Sequence, residues 1–133
     1  TPKPSSAASD VYKRQVLTDA ELLAAQSLIR RMPVPETVLD AILKLVRGAR
    51  PESAILPAVQ KNLAWGPGPR AAQALMLATR ARALLQGRLA PSVEDVLALA
   101  EPVLRHRMAL SFAARAEGVK LGEMIALLKA SIA

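Results

Sequence analysis

From Leu17 onward, apolar positions fall into stripes of helical spacing, each closed off by proline or glycine. Thr18-Asp19-Ala20-Glu21 predicts a capping box, in which the hydroxyl and the carboxylate satisfy early backbone N–H groups. Leu22, Ala25, Ile29 and Met32 then follow one side of a helix. Pro33 and Pro35 break it and open the next, where Val38, Ile42 and Leu45 line one side, Leu39 and Val46 widen the stripe, and Gly48 is the expected C-terminal cap. Prolines at 51, 57, 67 and 69 preclude a long regular element over 49–69, although 54–63 can hold a short helix or turn. The strongest helix is predicted over 69–86, with Ala74, Leu77, Ala78, Ala81, Leu84 and Leu85 as its apolar face, Gln73 and Arg80 pointing elsewhere, and Gly87 ending it. Ser92-Val93-Glu94-Asp95 forms a second capping box ahead of Val93, Val96, Leu97 and Ala100. Pro102 is expected to interrupt that helix, with a further one over 103–108. A last helix presents Leu121, Met124, Ile125 and Leu128 on one face. No segment alternates with the period of two that a strand requires, so the fold class is all-α, a small helical bundle.

Composition agrees. The chain has 133 residues, one domain's worth, and is 52% hydrophobic but only 2% aromatic. Its core must be aliphatic, which suits packed helices better than a sandwich of strands. Residues 1–15, TPKPSSAASDVYKRQ, break the pattern: rich in Pro, Ser, Lys and Arg and without apolar periodicity, they read as a disordered leader, and as non-native read-through sequence joined ahead of a domain covering 16–133. No apolar stretch reaches the roughly 18–20 uncharged residues that span a bilayer. A net charge of +7 is compatible with nucleic acid, an anionic surface or a phosphorylated ligand, and equally with a basic surface that binds nothing.

Chemistry is sparse. There is no cysteine and one histidine, His106, flanked by Arg105 and Arg107, so no metal site and no nucleophile–histidine pair has support. No glycine is followed by lysine, so the phosphate-loop pattern is absent, and no apolar run ends in Asp-Glu to hold magnesium. This chain alone supplies no catalytic residue for phosphoryl transfer. Arg70, Arg80, Arg82, Arg88, Arg105, Arg107 and Arg115 make the second half basic, and a small helical DNA-binding module is the alternative reading. Against it, the arginines of 70–88 fall at mixed angles and aromatic platforms for single strands are missing.

One stretch poses an electrostatic question. In Trp65-Gly66-Pro67-Gly68-Pro69-Arg70, a stiff turn holds a cation at a helix start, where the helix dipole disfavours it. This turn, the step Gly87-Arg88 with Asp95-Val96, and Pro102-Val103-Leu104-Arg105-His106-Arg107 together resemble the C-terminal helical lid of MoxR-family AAA+ ATPases, and residues 16–50, closing on Arg47 and Arg50, are similar to the lid's first two helices. The resemblance implies a lid that packs beside ATP bound, with magnesium, on a separate α/β domain. It implies that Arg70 is the second-sensor arginine approaching the γ-phosphate, supported by Gly66, Gly68 and Pro69. It further implies a cytoplasmic bacterial machine, part of an ATP hydrolase, with neighbouring subunits in a hexameric ring and chaperone-like action on client proteins, in company with von Willebrand factor A domain proteins. Arg88, His106 and Arg107 fall in family-like positions without an assigned role.

Overall fold

Why these residues form these helices is visible at their ends. The computed structural model describes residues 14–133, so the leader expected over 1–15 lies outside the described residues up to position 13. The chain divides into two units, one ending at Arg31 and one covering Met32–Ala133. In the first, helix α1 (Asp19–Arg31) opens on the predicted capping box: the Thr18 hydroxyl accepts from the Glu21 N–H at 3.1 Å, and the Glu21 carboxylate accepts from the Thr18 N–H at 3.2 Å. Acidic residues occupy its first turn and Arg30 and Arg31 its last, matching the helix dipole.

The second unit contains helices α2 (Glu36–Gly48), α3 (Pro57–Asn62), α4 (Pro69–Leu85), α5 (Val93–Leu104), α6 (Phe112–Ala116) and α7 (Leu121–Ile132), with a single 3₁₀ turn at Pro51–Ser53. One core joins Val38, Ile42, Leu45 and Val46 of α2, Ala71 and Leu75 of α4, Val96, Ala100 and Leu104 of α5, and Met124, Ile125 and Leu128 of α7. Asn62 at the end of α3 donates to the Met124 sulfur at 3.8 Å. The all-α class holds, with one addition. Strands β1 (Leu63–Trp65) and β2 (Ala109–Leu110) pair antiparallel, Leu63 against Leu110 and Trp65 against Ala109, with an irregularity between. Segments of two and three residues are too short for alternation to reveal.

Four sequence expectations are corrected. The core face of α4 is Ala71, Leu75, Thr79 and Ala83, not the stripe from Ala74 to Leu85. The polar residues Arg70, Gln73, Thr79, Arg80 and Arg82 are spread around α4 and apolar residues lie on both of its sides, so periodicity could not choose one. Thr79 is accommodated in the core because its hydroxyl donates to the Leu75 carbonyl at 2.6 Å. Helix α5 runs through Pro102 to Leu104, and 103–108 forms no separate helix. Proline removes the N–H that would reach the carbonyl of Ala98, but Ala98 is exposed and water can serve that oxygen. Leu39 is exposed rather than part of the α2 core stripe. Gly48 is the last helical residue, followed by Ala49 in right-handed geometry, so it is not a left-handed cap. Gly87, by contrast, ends α4 with φ +76 as expected.

Candidate functional site: the turn that carries Arg70

The turn before α4 is fixed by a close crossing of two backbones. A Cβ built on Gly66 would overlap the Ala49 carbonyl oxygen and lie 2.8 Å from the Arg50 Cα. Only glycine can pass there. Ala49 is itself fully buried, and Pro67, the next residue, is buried too. Gly68 is different: it is extended, with φ −100 and ψ −169, and a Cβ on it would meet nothing within 4 Å. Pro69 opens α4 in the first turn, and the Ala71 N–H donates to the Gly68 carbonyl at 3.0 Å.

Arg70 therefore projects from a rigid platform. Its side chain is exposed and has no hydrogen-bond or ion-pair partner among the described residues. A guanidinium in that position keeps all its donors, in a planar fork matched to phosphate or carboxylate oxygens. At the start of a helix, its charge and the dipole both favour an anion. Such a group fits a phosphate held by another body. It provides binding and no bond-making chemistry of its own.

Arg88, His106 and Arg107 do not join Arg70. Asp95, fully buried at the start of α5, is the centre of a separate cluster. Arg88 bonds both its carboxylate oxygens, at 2.8 and 2.7 Å, and Arg82 bonds Oδ1. The backbone N–H of Ser92 donates to Oδ2 at 2.7 Å. The Arg88 guanidinium, with the Ser92 N–H and Arg82 acting in the same direction, holds the Asp95 carboxyl well below the usual carboxylate range despite its burial. Arg88 also donates to the Gln86 side chain at 2.7 Å, so one residue ties the end of α4 to the start of α5 across the Gly87 turn. Sequence reading assigned Asp95 its capping role but not its two arginines. The signal was present in Gly87-Arg88 followed by a capping acid, yet nothing in spacing alone brings Arg82 to the same carboxylate.

The basic stretch after α5 is internally engaged. Arg105 pairs with Glu101 at 3.1 Å on the surface, and Arg107 donates to the Val103 carbonyl at 2.7 Å, placing a cation at the negative end of the helix. Arg107 Nη1 also meets His106 Nε2. Arginine is only a donor, so that ring nitrogen is the acceptor. No cluster of three metal-binding side chains occurs, and no helix is long and apolar enough to cross a membrane, among the described residues.

Comparison with known proteins bears on this arrangement directly. The family model of the AAA lid domain matches residues 56–128, a span running from α3 through the Arg70 turn and the Asp95 cluster to α7. Over 107 residues the chain is 31% identical to the Chaperone MoxR1 of Mycobacterium tuberculosis, covering 80% of this chain and 28% of that protein. A crystal structure from Cytophaga hutchinsonii, provisionally described as an ATPase, superposes with a TM-score of 0.80 at 24% identity, covering 96% of this chain and 42% of that one. The chain thus spans less than half the length of either protein, and at that identity the superposition speaks for the fold.

Proposed function

The chain belongs to the AAA lid domain family, as a lid of the MoxR type, and from that premise we propose that residues 16–133 close over ATP held by an α/β domain, with Arg70 meeting the γ-phosphate. The observation that carries this reading is the exposed guanidinium, without a partner among the described residues, on a turn locked by Gly66 against Ala49 and Arg50. A rigidly presented cation at a helix start is electrostatically costly by itself and favourable once an anion faces it. Gly66 and Pro67 support the site by fixing the turn, and Pro69 by starting the helix, whereas Gly68 acts only as the flanking residue. Magnesium and the catalytic groups belong to the α/β domain in this reading, and a change at the γ-phosphate alters the contact with Arg70 and lets the lid pivot.

The wider proposals follow from the family: an ATP-driven machine in the cytoplasm, assembled as a hexameric ring, whose lid movement remodels client proteins together with von Willebrand factor A domain proteins. The name of the Mycobacterium tuberculosis relative supports the chaperone-like part. The test is ATP turnover by the full-length protein. Arg70→Ala is expected to lower kcat on the order of 100-fold, the cost of removing one charge-stabilising donor, with Arg70→Lys intermediate. Unchanged turnover in Arg70→Ala would sink the assignment.

A further inference from the structure

The second unit has an apolar trough between the end of α2, the segment 53–58 and the last two turns of α7. None of its lining residues belongs to α4 or to the turn before it. The deeper part has a volume of about 460 Å³ and is walled by Gly48, Leu56, Leu128 and Ile132. A shallower part of about 360 Å³ shares Leu56 and Ser131 with it and continues past Pro57, Ala58, Leu127 and Ala130. The serines in the wall are turned inward: Ser53 donates to the Arg47 carbonyl and Ser131 to the Leu128 carbonyl, each at 2.6 Å. Beside the trough Ile55 is 92% exposed and Leu127 43% exposed. Continuous apolar surface of this kind, unlike a single exposed leucine, marks a place where something binds. One edge is charged. Lys44 and Arg47 stand three residues apart on the same face of α2 and line the deeper part. Both side chains are exposed, and neither has a hydrogen-bond or ion-pair partner among the described residues. No carboxylate lines either part; Glu52 is paired with Arg50 at 2.7 Å, and Asp40 lies a turn earlier on α2, outside the lining.

We propose that this trough seats an amphipathic helix of a separate protein, with an apolar ridge lying in the trough and carboxylates on the flank that meets Lys44 and Arg47. Charge selects the sign of that flank: two unpaired cations and no acid at the edge favour an acidic partner and repel a basic one. Shape selects the class of partner. The deeper part alone is large enough for a small amphipathic anion, but such a ligand would leave Ile55, Leu127 and the shallower part bare. A helix with apolar residues at successive turns covers both parts at once. The lining residues of α7, from Leu127 to Ile132, run for about 8 Å along its axis, a length that two turns of a partner helix match. The inference goes beyond the nucleotide reading of Arg70 and does not depend on it.

The experiment uses the full-length protein and two fluorescein-labelled synthetic peptides of about 16 residues, long enough to hold a helix. Both carry the same leucine ridge; its flanks are glutamate in one and lysine in the other. Anisotropy titrations at low salt are expected to show the glutamate peptide binding about tenfold tighter than the lysine peptide. Ile55→Asp is expected to weaken the glutamate peptide about tenfold, and Lys44→Glu combined with Arg47→Glu to reverse the preference between the two. All three residues are exposed, so the fold is not at risk, and an unchanged melting profile confirms it. Equal affinity for the two peptides, or a preference that survives the double reversal, overturns the proposal. Dodecanoate added as a competitor is expected to displace the peptide only weakly. Displacement at concentrations below the peptide's own Kd overturns the helix in favour of a small amphipathic anion. Failure of both peptides to bind overturns the proposal as well. Protection of Ile55→Cys from maleimide, in a background free of other reactive thiols, would then identify the protein's own chain or a ring neighbour as the occupant; this chain contributes no cysteine to that background.

Discussion

Gly66 and Gly68 stand two residues apart in one turn, yet a single added methyl group should separate them sharply. On Gly66 the methyl meets backbone atoms of Ala49 and Arg50, which cannot swing away as a side chain could. Gly66→Ala is therefore expected to destabilise the fold by about 3 kcal/mol or more. On Gly68 it meets open space at an ordinary backbone angle, so Gly68→Ala is expected to change stability by no more than about 0.5 kcal/mol. Denaturant unfolding of both variants measures the difference, and equal effects would contradict the close crossing. Sequence alone marked both glycines as support for Arg70 and could not rank them, because the rank depends on Ala49, seventeen positions upstream. Asp95 gives the second prediction at this scale. Its folded-state pKa is depressed below the ordinary value of about 3.9, so the unfolded chain binds the proton first. Its contribution is then full above about pH 4 and lost as pH falls below that toward the folded-state value. Asp95→Asn is expected to cost about 2–3 kcal/mol at neutral pH, a figure reduced because Arg82 and Arg88 are 34% and 37% exposed. That deficit should shrink as stability is measured at progressively lower pH.

Among the elements, legibility followed contrast. Helices α2 and α7 place apolar residues against polar ones, and Val38, Ile42, Leu45, Met124, Ile125 and Leu128 are buried as their spacing predicts. In α4 alanine and leucine lie on two sides of the helix, so the pattern found a real apolar face and took the outer one for the core. The inner face was hidden behind Thr79, whose polarity is neutralised by a bond to its own helix. Capping boxes were legible at both sites because their chemistry is local. Pro102 misled for a related reason: the proline rule is local, but its cost depends on whether the freed carbonyl faces water. Since Pro102 is exposed and the helix continues through it, Pro102→Ala should restore a backbone bond and stabilise the fold by about 1 kcal/mol, seen as a higher thermal midpoint. An unchanged or lowered midpoint would mean that the shape proline imposes on α5 positions the Arg105–Arg107 end more than it weakens the helix.

For the molecule as a whole, a net charge of +7 is a statement about distribution as much as about amount. A DNA-binding module neutralises several phosphates at once, and each one releases counterions, giving a salt slope near −0.9 per contact. That requires arginines presented together on one surface. Here Arg82 and Arg88 share the buried Asp95, Arg105 is paired with Glu101, and Arg107 is turned onto the Val103 carbonyl. Charges spent within the fold do not line up against a phosphate backbone; of these second-half arginines, Arg70 at the head of α4 and Arg115 on α6 are the exposed ones without a partner among the described residues, and they stand on separate helices. A single phosphate partner suits that arrangement better than a duplex does. Binding of this chain to duplex DNA, followed by anisotropy between low and physiological salt, is accordingly expected to be weak and to show a log–log slope shallower than about −2. A slope of −4 or steeper would require a coherent basic surface, and would favour the DNA-binding alternative over the lid's engagement with nucleotide.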